Sequence, residues 1–576
     1  MTSFRIERFD FTGSELRQWA DTDPRHHNWP VVYALNADGT SSEAREIYVG
    51  ESLNAMSRLA QHLTTEKRRL TSASVIVDDE FNKSACLDLE SRLIRLFAGD
   101  GKYQVLNRND GITEADYYDR QRYQAKFDEI FRELLDSGLF TQDRTSIENS
   151  DLFKLSPFKA LTDEQAGAVA NVLDGLFDDL EQDRTSTTVL QGEPGTGKTV
   201  IAIYLMKLLE DIRTTDPAEA MEFETQFDDY FMHGFAELLD GFRVGIVVPQ
   251  QSLRKSVERV FQKTPGLAPA MVLTPFQVGE SEGSYDLLIV DEAHRLNQRS
   301  NQPSGVQNKR FRDITTRIFG VDDRSKTQLD WIIAKSRRQI LLIDPEQSVR
   351  PGDLPRATLD SLVGVAKSSG RYHQLWSQLR VRGGDDYVKW AKSLLSGRPE
   401  EARSFPDYDL RFFTDLGEMR TAILERERET GLARLVAGYA WEWKSKNDKH
   451  AVDIEIDGIE LQWNRTATDW VNSNGSINEV GSIHTIQGYD LNYAGVIIGK
   501  DVRYDPVERR VHFDRANYFD KKGVENNKQL GITYSDEDVL RYVRNVYSVL
   551  LTRGIRGTYV YICDPALREH LRSAFP

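Results

Sequence analysis

A chain of 576 residues exceeds what one hydrophobic core usually serves and predicts two to four domains, and 39% hydrophobic, 10% aromatic and 28% charged residues exclude wholesale disorder. The two cysteines, Cys86 and Cys563, exclude a disulfide framework and a four-cysteine zinc site, so any metal is expected on oxygen ligands. No apolar run reaches the ~20 residues that span a bilayer, and the opening MTSFRIERFDFTG lacks a signal peptide's apolar centre, so no membrane partner and a cytoplasmic location are expected.

VVYAL and EIYVG predict two strands joined by a polar loop with Asp38-Gly39. A helix follows, with Ser52 as its cap and Leu53, Met56, Leu59, Ala60 and Leu63 at helical spacing. A second amphipathic helix runs from Cys86 to Phe97 and stops at Gly99-Asp100-Gly101. Residues 117–139 form a polar, aromatic-bearing helical stretch, read as a connector. From Leu161 strand-like and helical patterns alternate: TTVLQ then Val200 to Leu209, RVGIVVP then Ser252 to Phe261, then YDLLIVDE and RQILLID. A second series follows, with Leu410 to Phe413, LARLVAGY, GSIHT, AGVIIG and TYVYICD. Alternation of this kind means parallel sheets with crossover helices, and two series predict two α/β lobes. The polar stretch from Arg299 to Gln328 reads as loop.

The net charge of -16 repels polyanions at a distance, so a nucleic-acid partner would need local basic patches. Lys67-Arg68-Arg69 and Lys309-Arg310 are basic, while acids crowd residues 174–183 and 216–240. Taken alone, each cluster reads more readily as a solvated helix face than as a binding patch.

Strand TTVLQ leads into Gly192-Glu193-Pro194-Gly195-Thr196-Gly197-Lys198-Thr199 and then a helix, the strand-to-helix setting of a phosphate-binding loop. Its glycines let backbone N–H groups curl around phosphates and the helix N-terminus adds positive potential. Lys198 reaches the β/γ oxygens and Thr199 ligates magnesium. Downstream, Leu287 to Val290 delivers Asp291-Glu292-Ala293-His294 at a strand's carboxyl end, where ligands of open α/β sheets collect. Asp291 suits a second magnesium ligand, and Glu292 suits orienting or deprotonating the attacking water.

From Leu161 onward the chain resembles the superfamily 1 helicases, and more narrowly the helicase-like ATPase domain of Schlafen proteins and their bacterial relatives. The resemblance places Gln165 of LTDEQ where adenine is read, and Gln347 of DPEQ at the sensor between γ-phosphate and second lobe. It also places Arg380 of QLRVRGG and Arg553 of NVYSVLLTRGIRG as arginines reaching the γ-phosphate from the far lobe. In HTIQGYD, Gln487, Gly488 and Asp490 match the fifth motif, where the family commonly carries glutamate at the last position. The implied ligands are ATP and Mg2+. A single strand is expected along Pro249-Gln250-Gln251-Ser252, Thr274 and His484-Thr485. Tyr439, Trp441 and Trp443 read more readily as packing than as base-stacking groups.

Near the start, Tyr33 ends VVY and Tyr48 begins YVG; Arg58 and His62 share one helix face, Glu90 sits on a later helix and Asn107 follows in VLN. Taken singly, the tyrosines read as sheet packing and the Arg58/His62 pair as a solvated helix face. Together these residues resemble the GIY-YIG nuclease domain over about residues 29 to 110, with Val31 and Val49 departing from the signature. The resemblance implies that Glu90 holds one divalent ion, Mg2+ or Mn2+, that Arg58 and the ion neutralise the phosphate, and that Tyr33 or Tyr48 assists the attacking water, with His62 beside them.

The expected fold is α/β: two RecA-like parallel-sheet lobes, 161–375 and 376–576, after a small α+β domain, 1–115, and a helical connector, 116–160. The expected function is an ATP-dependent translocase or helicase coupled to an endonuclease, acting on DNA more readily than RNA, in bacterial defence against phage. A partner protein or self-association is left open. The rival readings are a helicase with a non-cleaving N-terminal binding domain, and a nucleotide-gated sensor.

Overall fold

The structure, a computed structural model, describes residues 4–37, 45–108, 116–215, 227–232, 234–300, 304–396, 401–466, 469–486 and 489–576. The chain divides into two compact units. One comprises Met1–Ala170, Ile203–Asp240 and Ser256–Ala270; the other comprises Asn171–Ala202, Gly241–Lys255 and Met271–Pro576.

The first unit is built on five strands, β1 (Phe4–Asp10), β2 (Val31–Ala37), β3 (Glu46–Ser52), β4 (Ser72–Asp78) and β5 (Gln104–Val105). They lie in the order β1-β4-β2-β3-β5, antiparallel except for the β3/β5 pair. Because successive side chains leave a strand on opposite faces, β2 serves two cores. Val32 and Ala34 pack with Leu89, Leu93 and Phe97 of helix Lys83–Asp100. Val31, Tyr33 and Leu35 pack with Leu16, Trp19 and Leu59 on the other side. Gly101, at φ +67°, ends helix Lys83–Asp100 as the sequence predicts. The cap of helix Ala55–His62 is Asn54, whose Oδ1 accepts the Ser57 N–H at 2.9 Å, in place of Ser52. Ser52 instead accepts from the Asn54 N–H. The stretch read as a connector contains helix Arg120–Asp136, whose Tyr123, Phe127, Ile130, Phe131 and Leu134 belong to the same core as Phe97.

The second unit holds two sheets. One contains β6 (Ser186–Gly192), β7 (Val244–Val247), β8 (Val272–Leu273), β9 (Tyr285–Val290), β10 (Ser336–Ile343) and β11 (Tyr372–Leu375), all parallel in the order β11-β6-β10-β9-β7-β8. The other contains β12 (Asp409–Phe413), β13 (Ala433–Ala437), β14 (Ile454–Ile456), β15 (Ile459–Trp463), β16 (Glu479–Ser482), β17 (Leu491–Ile498) and β20 (Gly554–Ile562). Its order is β12-β20-β17-β13-β16-β15-β14, parallel except for the β14/β15 hairpin; β18 (Val502–Asp505) and β19 (Arg510–Phe513) pair separately. The chain is thus mixed α/β with two predominantly parallel sheets, and the central strands are largely buried, β17 along its whole length.

One expectation fails here. Within 299–328, taken as loop, helix Gly305–Phe319 forms, capped by Ser304 and ended by Gly320 at φ +81°. Its buried apolar residues are Phe311 and Ile314, with Ile318 and Phe319 partly buried beside them; they close on Trp331, and Trp331 Nε1 donates to Thr315 Oγ1 at 3.2 Å. The polar remainder hides this short stripe from a hydrophobic pattern. Among the described residues no helix is long and apolar enough to cross a membrane.

Candidate functional site

The loop after β6 closes on itself before any ligand is considered. Gly195 and Gly197 take φ of +90° and +83°, a region that L side chains rarely enter. Lys198 Nζ donates to the carbonyls of Gly192 (2.6 Å) and Glu193 (3.1 Å), and Thr196 Oγ1 donates to the Glu193 carbonyl at 3.0 Å. From the end of β9 Asp291 reaches the same place: Thr199 Oγ1 donates to its Oδ2 at 2.7 Å. Burial, with the neighbouring Glu292 charge, pushes the Asp291 carboxyl up to about 6. A hydroxyl and a buried carboxylate beside a phosphate loop are the all-oxygen donor set that Mg2+ takes alongside phosphates and water, so Thr199 and Asp291 fit that ion.

Glu292 sits at φ +50°, left-handed for a residue with a side chain. Arg295 Nε donates to its Oε2 at 2.8 Å, and Arg295 Nη2 donates to the Gln347 carbonyl at 3.2 Å. His294 Nδ1 accepts the Asp344 N–H at 3.1 Å, which leaves the ring hydrogen on Nε2, 3.2 Å from Glu292 Oε2. Burial alone would raise the Glu292 carboxyl; His294, Arg295 and Lys198 outweigh it and hold the group well below the usual carboxylate range. Gln347 Nε2 in turn donates to Asp344 Oδ2 at 2.7 Å.

The segment following β11 is laid on the phosphate loop. Leu379 N–H donates to the Gly195 carbonyl at 3.0 Å, Gln378 Nε2 donates to the Pro194 carbonyl, and a Cβ at Gly195 would meet Arg380 Cβ at 2.9 Å. Arg380 Nε lies 2.5 Å from Asp490 Oδ1, just before β17 of the second sheet. Arg553, just before β20, is buried near enough to feel Arg380, Asp490, Glu292 and Arg295. Burial, with the Arg380 charge, lowers the affinity of its guanidinium for its proton. Residues from both sheets therefore meet at one place. Lys392 Nζ, 2.8 Å from Glu193 Oε1, adds a further link.

Gln165, expected at adenine, lies in the first unit, where its Oε1 accepts the Thr162 N–H at 3.2 Å. Gln487 and Gly488 lie outside the described residues. Sequence reasoning missed Gln378, Lys392 and Arg295; Arg295 and Gln378 stand next to recognised motifs, whereas nothing near Lys392 marks its partner.

A cleft of about 560 Å³ in the second unit brings together Gln250, Ser252, Thr274, His484 and Thr485, the positions expected to grip a strand. Tyr439 and Trp443 line it, while Trp441 packs with the core around Trp463. The cleft is crossed by residues 522–527, and Asn527 Nδ2 donates to the Arg299 carbonyl at 2.8 Å.

In the first unit, β2 sets Tyr33 opposite Gly50, where a Cβ would come within 2.3 Å of the Tyr33 hydroxyl. Tyr33 and His62 share a hydrogen bond of 2.8 Å. Tyr48 completes the group, its ring 6.4 Å from Tyr33 and 5.1 Å from His62, with Lys67 Nζ 3.7 Å from its centroid. Burial pushes the Tyr33 phenol well up, Tyr48 and Glu90 add to that, and Arg58 opposes it. Burial, then Lys67 and Arg58, lower His62 to about 3. Asn107 clasps the Val49 backbone, accepting its N–H at 3.0 Å and donating to its carbonyl at 2.8 Å. Among the described residues no three His, Cys, Asp or Glu side chains gather as a metal site.

The parallel sheet carrying a phosphate loop, met by Arg553 from a second, predominantly parallel sheet, defines a P-loop protein of the two-sheet kind. The chain belongs to the family described as Schlafen group 3, DNA/RNA helicase domain, which it matches over residues 185–564. A Saccharomyces cerevisiae relative, uncharacterized protein YPL245W, is 26% identical over 413 residues, covering 66% of this chain and 83% of its own. Among solved structures, a Pif1 helicase from Bacteroides with ADP-AlF3 and single-stranded DNA is 10% identical with a TM-score of 0.26, covering 73% of this chain and 95% of that one. The Arterivirus nonstructural protein 10 helicase with DNA is 13% identical with a TM-score of 0.27, covering 69% and 65%.

Proposed function

We propose that the chain is an ATP-driven motor that moves along or remodels a nucleic-acid strand held in the cleft. The observation that carries this reading is the meeting of Glu292, after β9 of one sheet, with Arg553, just before β20 of the other, while Arg380 lies against the phosphate loop and pairs with Asp490. Guanidinium groups supplied from a second lobe stabilise charge on a transferring phosphoryl group, so hydrolysis is tied to the lobes' relative motion. Lys198 would bind the phosphates, Glu292 would orient the attacking water, and Gln347, joined to Glu292 through Arg295, would report the γ-phosphate. When bound on Thr199 and Asp291, Mg2+ supplies charge neutralisation of the phosphate oxygens.

The finer reading adds a metal-dependent nuclease at Tyr33, Tyr48, Arg58, His62 and Glu90, cleaving DNA that the motor presents, in bacterial defence against phage. Its support is the grouping of both tyrosines with His62, Arg58 and Glu90 in one place. The burial of Tyr33, 1% exposed, favours the rival in which this unit binds nucleic acid without cutting.

The test measures ATP turnover with single-stranded DNA, duplex DNA and RNA, then runs gels on the same samples, for wild type, Lys198→Ala and Glu90→Ala. Stimulated turnover that disappears in Lys198→Ala, and cleavage that disappears in Glu90→Ala, are expected. Turnover surviving in Lys198→Ala overturns the motor, and cleavage surviving in Glu90→Ala overturns the metal ligand. Turnover without cleavage under any metal selects the non-cleaving rival.

A further inference from the structure

We infer that the cleft of the second unit holds a single polynucleotide strand chiefly through hydrogen bonds to uncharged side chains, leaving most phosphates to their counterions. This rests on the reading of that cleft as the strand-binding site.

The cations lining the cleft are already matched by the protein. Arg310 is paired at two atoms with Glu280, Arg350 Nε lies 3.0 Å from Asp353 Oδ1, and Lys522 Nζ lies 2.6 Å from Glu525 Oε2. Arg295 is held by Glu292 at 2.8 Å, and His484 Nε2 lies 3.2 Å from Asp520 Oδ2. Arg254 Nη1 donates to the Val248 carbonyl at 3.2 Å. A phosphate approaching Arg310, Arg350, Arg295 or Lys522 meets a neutralised pair, not a bare charge, and must displace a carboxylate to gain a full contact. Few condensed counterions would then be released, and their release is what makes nucleic-acid binding strong at low salt and weak at high salt.

The uncharged groups differ in kind. Gln250, Ser252, Thr274 and Asn526 line the same walls, where Asn464 and Thr485 are buried and bonded to each other and to Ser482. A carboxamide offers two donors and two acceptor positions and a hydroxyl offers both roles. Thr274 Oγ1 accepts the Gln277 N–H at 3.1 Å and Asn526 Oδ1 accepts the Tyr534 N–H at 3.0 Å, so both keep hydrogens to donate to a strand. The chain's overall charge of -16 works the same way, since it gives no long-range pull on a polyanion. DNA and RNA strands share the chemistry these walls recognise, and RNA adds a 2′-hydroxyl that is both donor and acceptor.

The experiment follows binding of fluorescein-labelled oligo(dT) and oligo(U) of equal length to the full chain by anisotropy, from about 50 to about 200 mM KCl. A slope of log affinity against log salt shallower than about 2 is expected, a loss of no more than about 20-fold over that range; a steeper slope for both strands overturns the inference. Glu280→Gln and Glu525→Gln release Arg310 and Lys522, so each is expected to tighten binding at low salt and steepen the slope by about 0.7. An unchanged slope in both variants overturns the claim that those pairs withhold charge. With a shallow slope, tighter oligo(U) assigns the site to ribose, and equal or tighter oligo(dT) assigns it to features common to both strands. No binding of either strand is a different result: it removes the strand-binding reading itself, whereas steep binding leaves that reading standing.

Discussion

The N-terminal tyrosine cluster and the phosphate-loop region hold their side chains by different means. Tyr33 and His62 are parts of a packed face, 1% and 2% exposed, positioned by the sheet and by Leu59 and Leu16 around them. Asp291 and Glu292 directly follow β9, Lys198 opens the helix after the phosphate loop and Arg380 lies in the segment after β11; they are held by polar partners, Thr199, Arg295, Gly192 and Asp490 respectively. In the first case changing a functional residue disturbs the fold; in the second it disturbs mainly the chemistry. Loss of activity with intact folding is therefore expected at one site, and loss of folding at the other.

The largest effect that would break this contrast is at Lys198. Lys198→Ala is expected to lower ATP turnover by about 10³-fold or more while leaving the thermal midpoint near that of wild type; a large fall in the midpoint would place the residue among the structural ones. Arg380→Ala and Arg553→Ala should each lower turnover by about 10²-fold, read in the same phosphate-release assay. If either retains wild-type turnover, that arginine does not act on the nucleotide. Gly50→Ala sharpens the other side. Its methyl group would meet the Tyr33 ring, and the variant is expected to lose about 1–3 kcal/mol of stability by calorimetry with little change in ATP turnover. The smallest effect is in pH. His62 in the fold is lowered to about 3 against about 6.5 in an unfolded chain, so the fold favours the neutral ring. Its contribution is complete above about pH 6.5 and is lost as pH falls from there toward 3. Thermal midpoints of wild type and His62→Gln between about pH 7 and about pH 5 should converge on acidification, and parallel curves would show that His62 is not the titrating group.

The contrast also explains how much could be read from the chain. The phosphate loop is legible because close backbone curvature demands glycine at fixed intervals, and Gly195 and Gly197 do adopt the left-handed conformations that require it. The strand and helix order of both parallel sheets follows from continuous apolar runs such as that of β17. Gln378 and Lys392 were not legible because their partners, Pro194 and Glu193, are chosen by a fold that brings distant segments together. Helix Gly305–Phe319 escaped notice because two buried apolar residues do not make a periodic stripe, although Trp331 completes the packing from elsewhere. Tyr439 and Trp443 read as packing, yet both also line the cleft, since an aromatic beside a strand end can serve two surroundings.

Glu292 has one more consequence. A left-handed backbone costs a non-glycine residue roughly 1–2 kcal/mol, and the penalty falls on the residue that carries the carboxylate. Glycine would relax the chain there but leave the buried Arg295 without its carboxylate partner, a loss of about 3–5 kcal/mol that outweighs the strain relieved. The unfavourable backbone is therefore held in place by the ion pair that it aims.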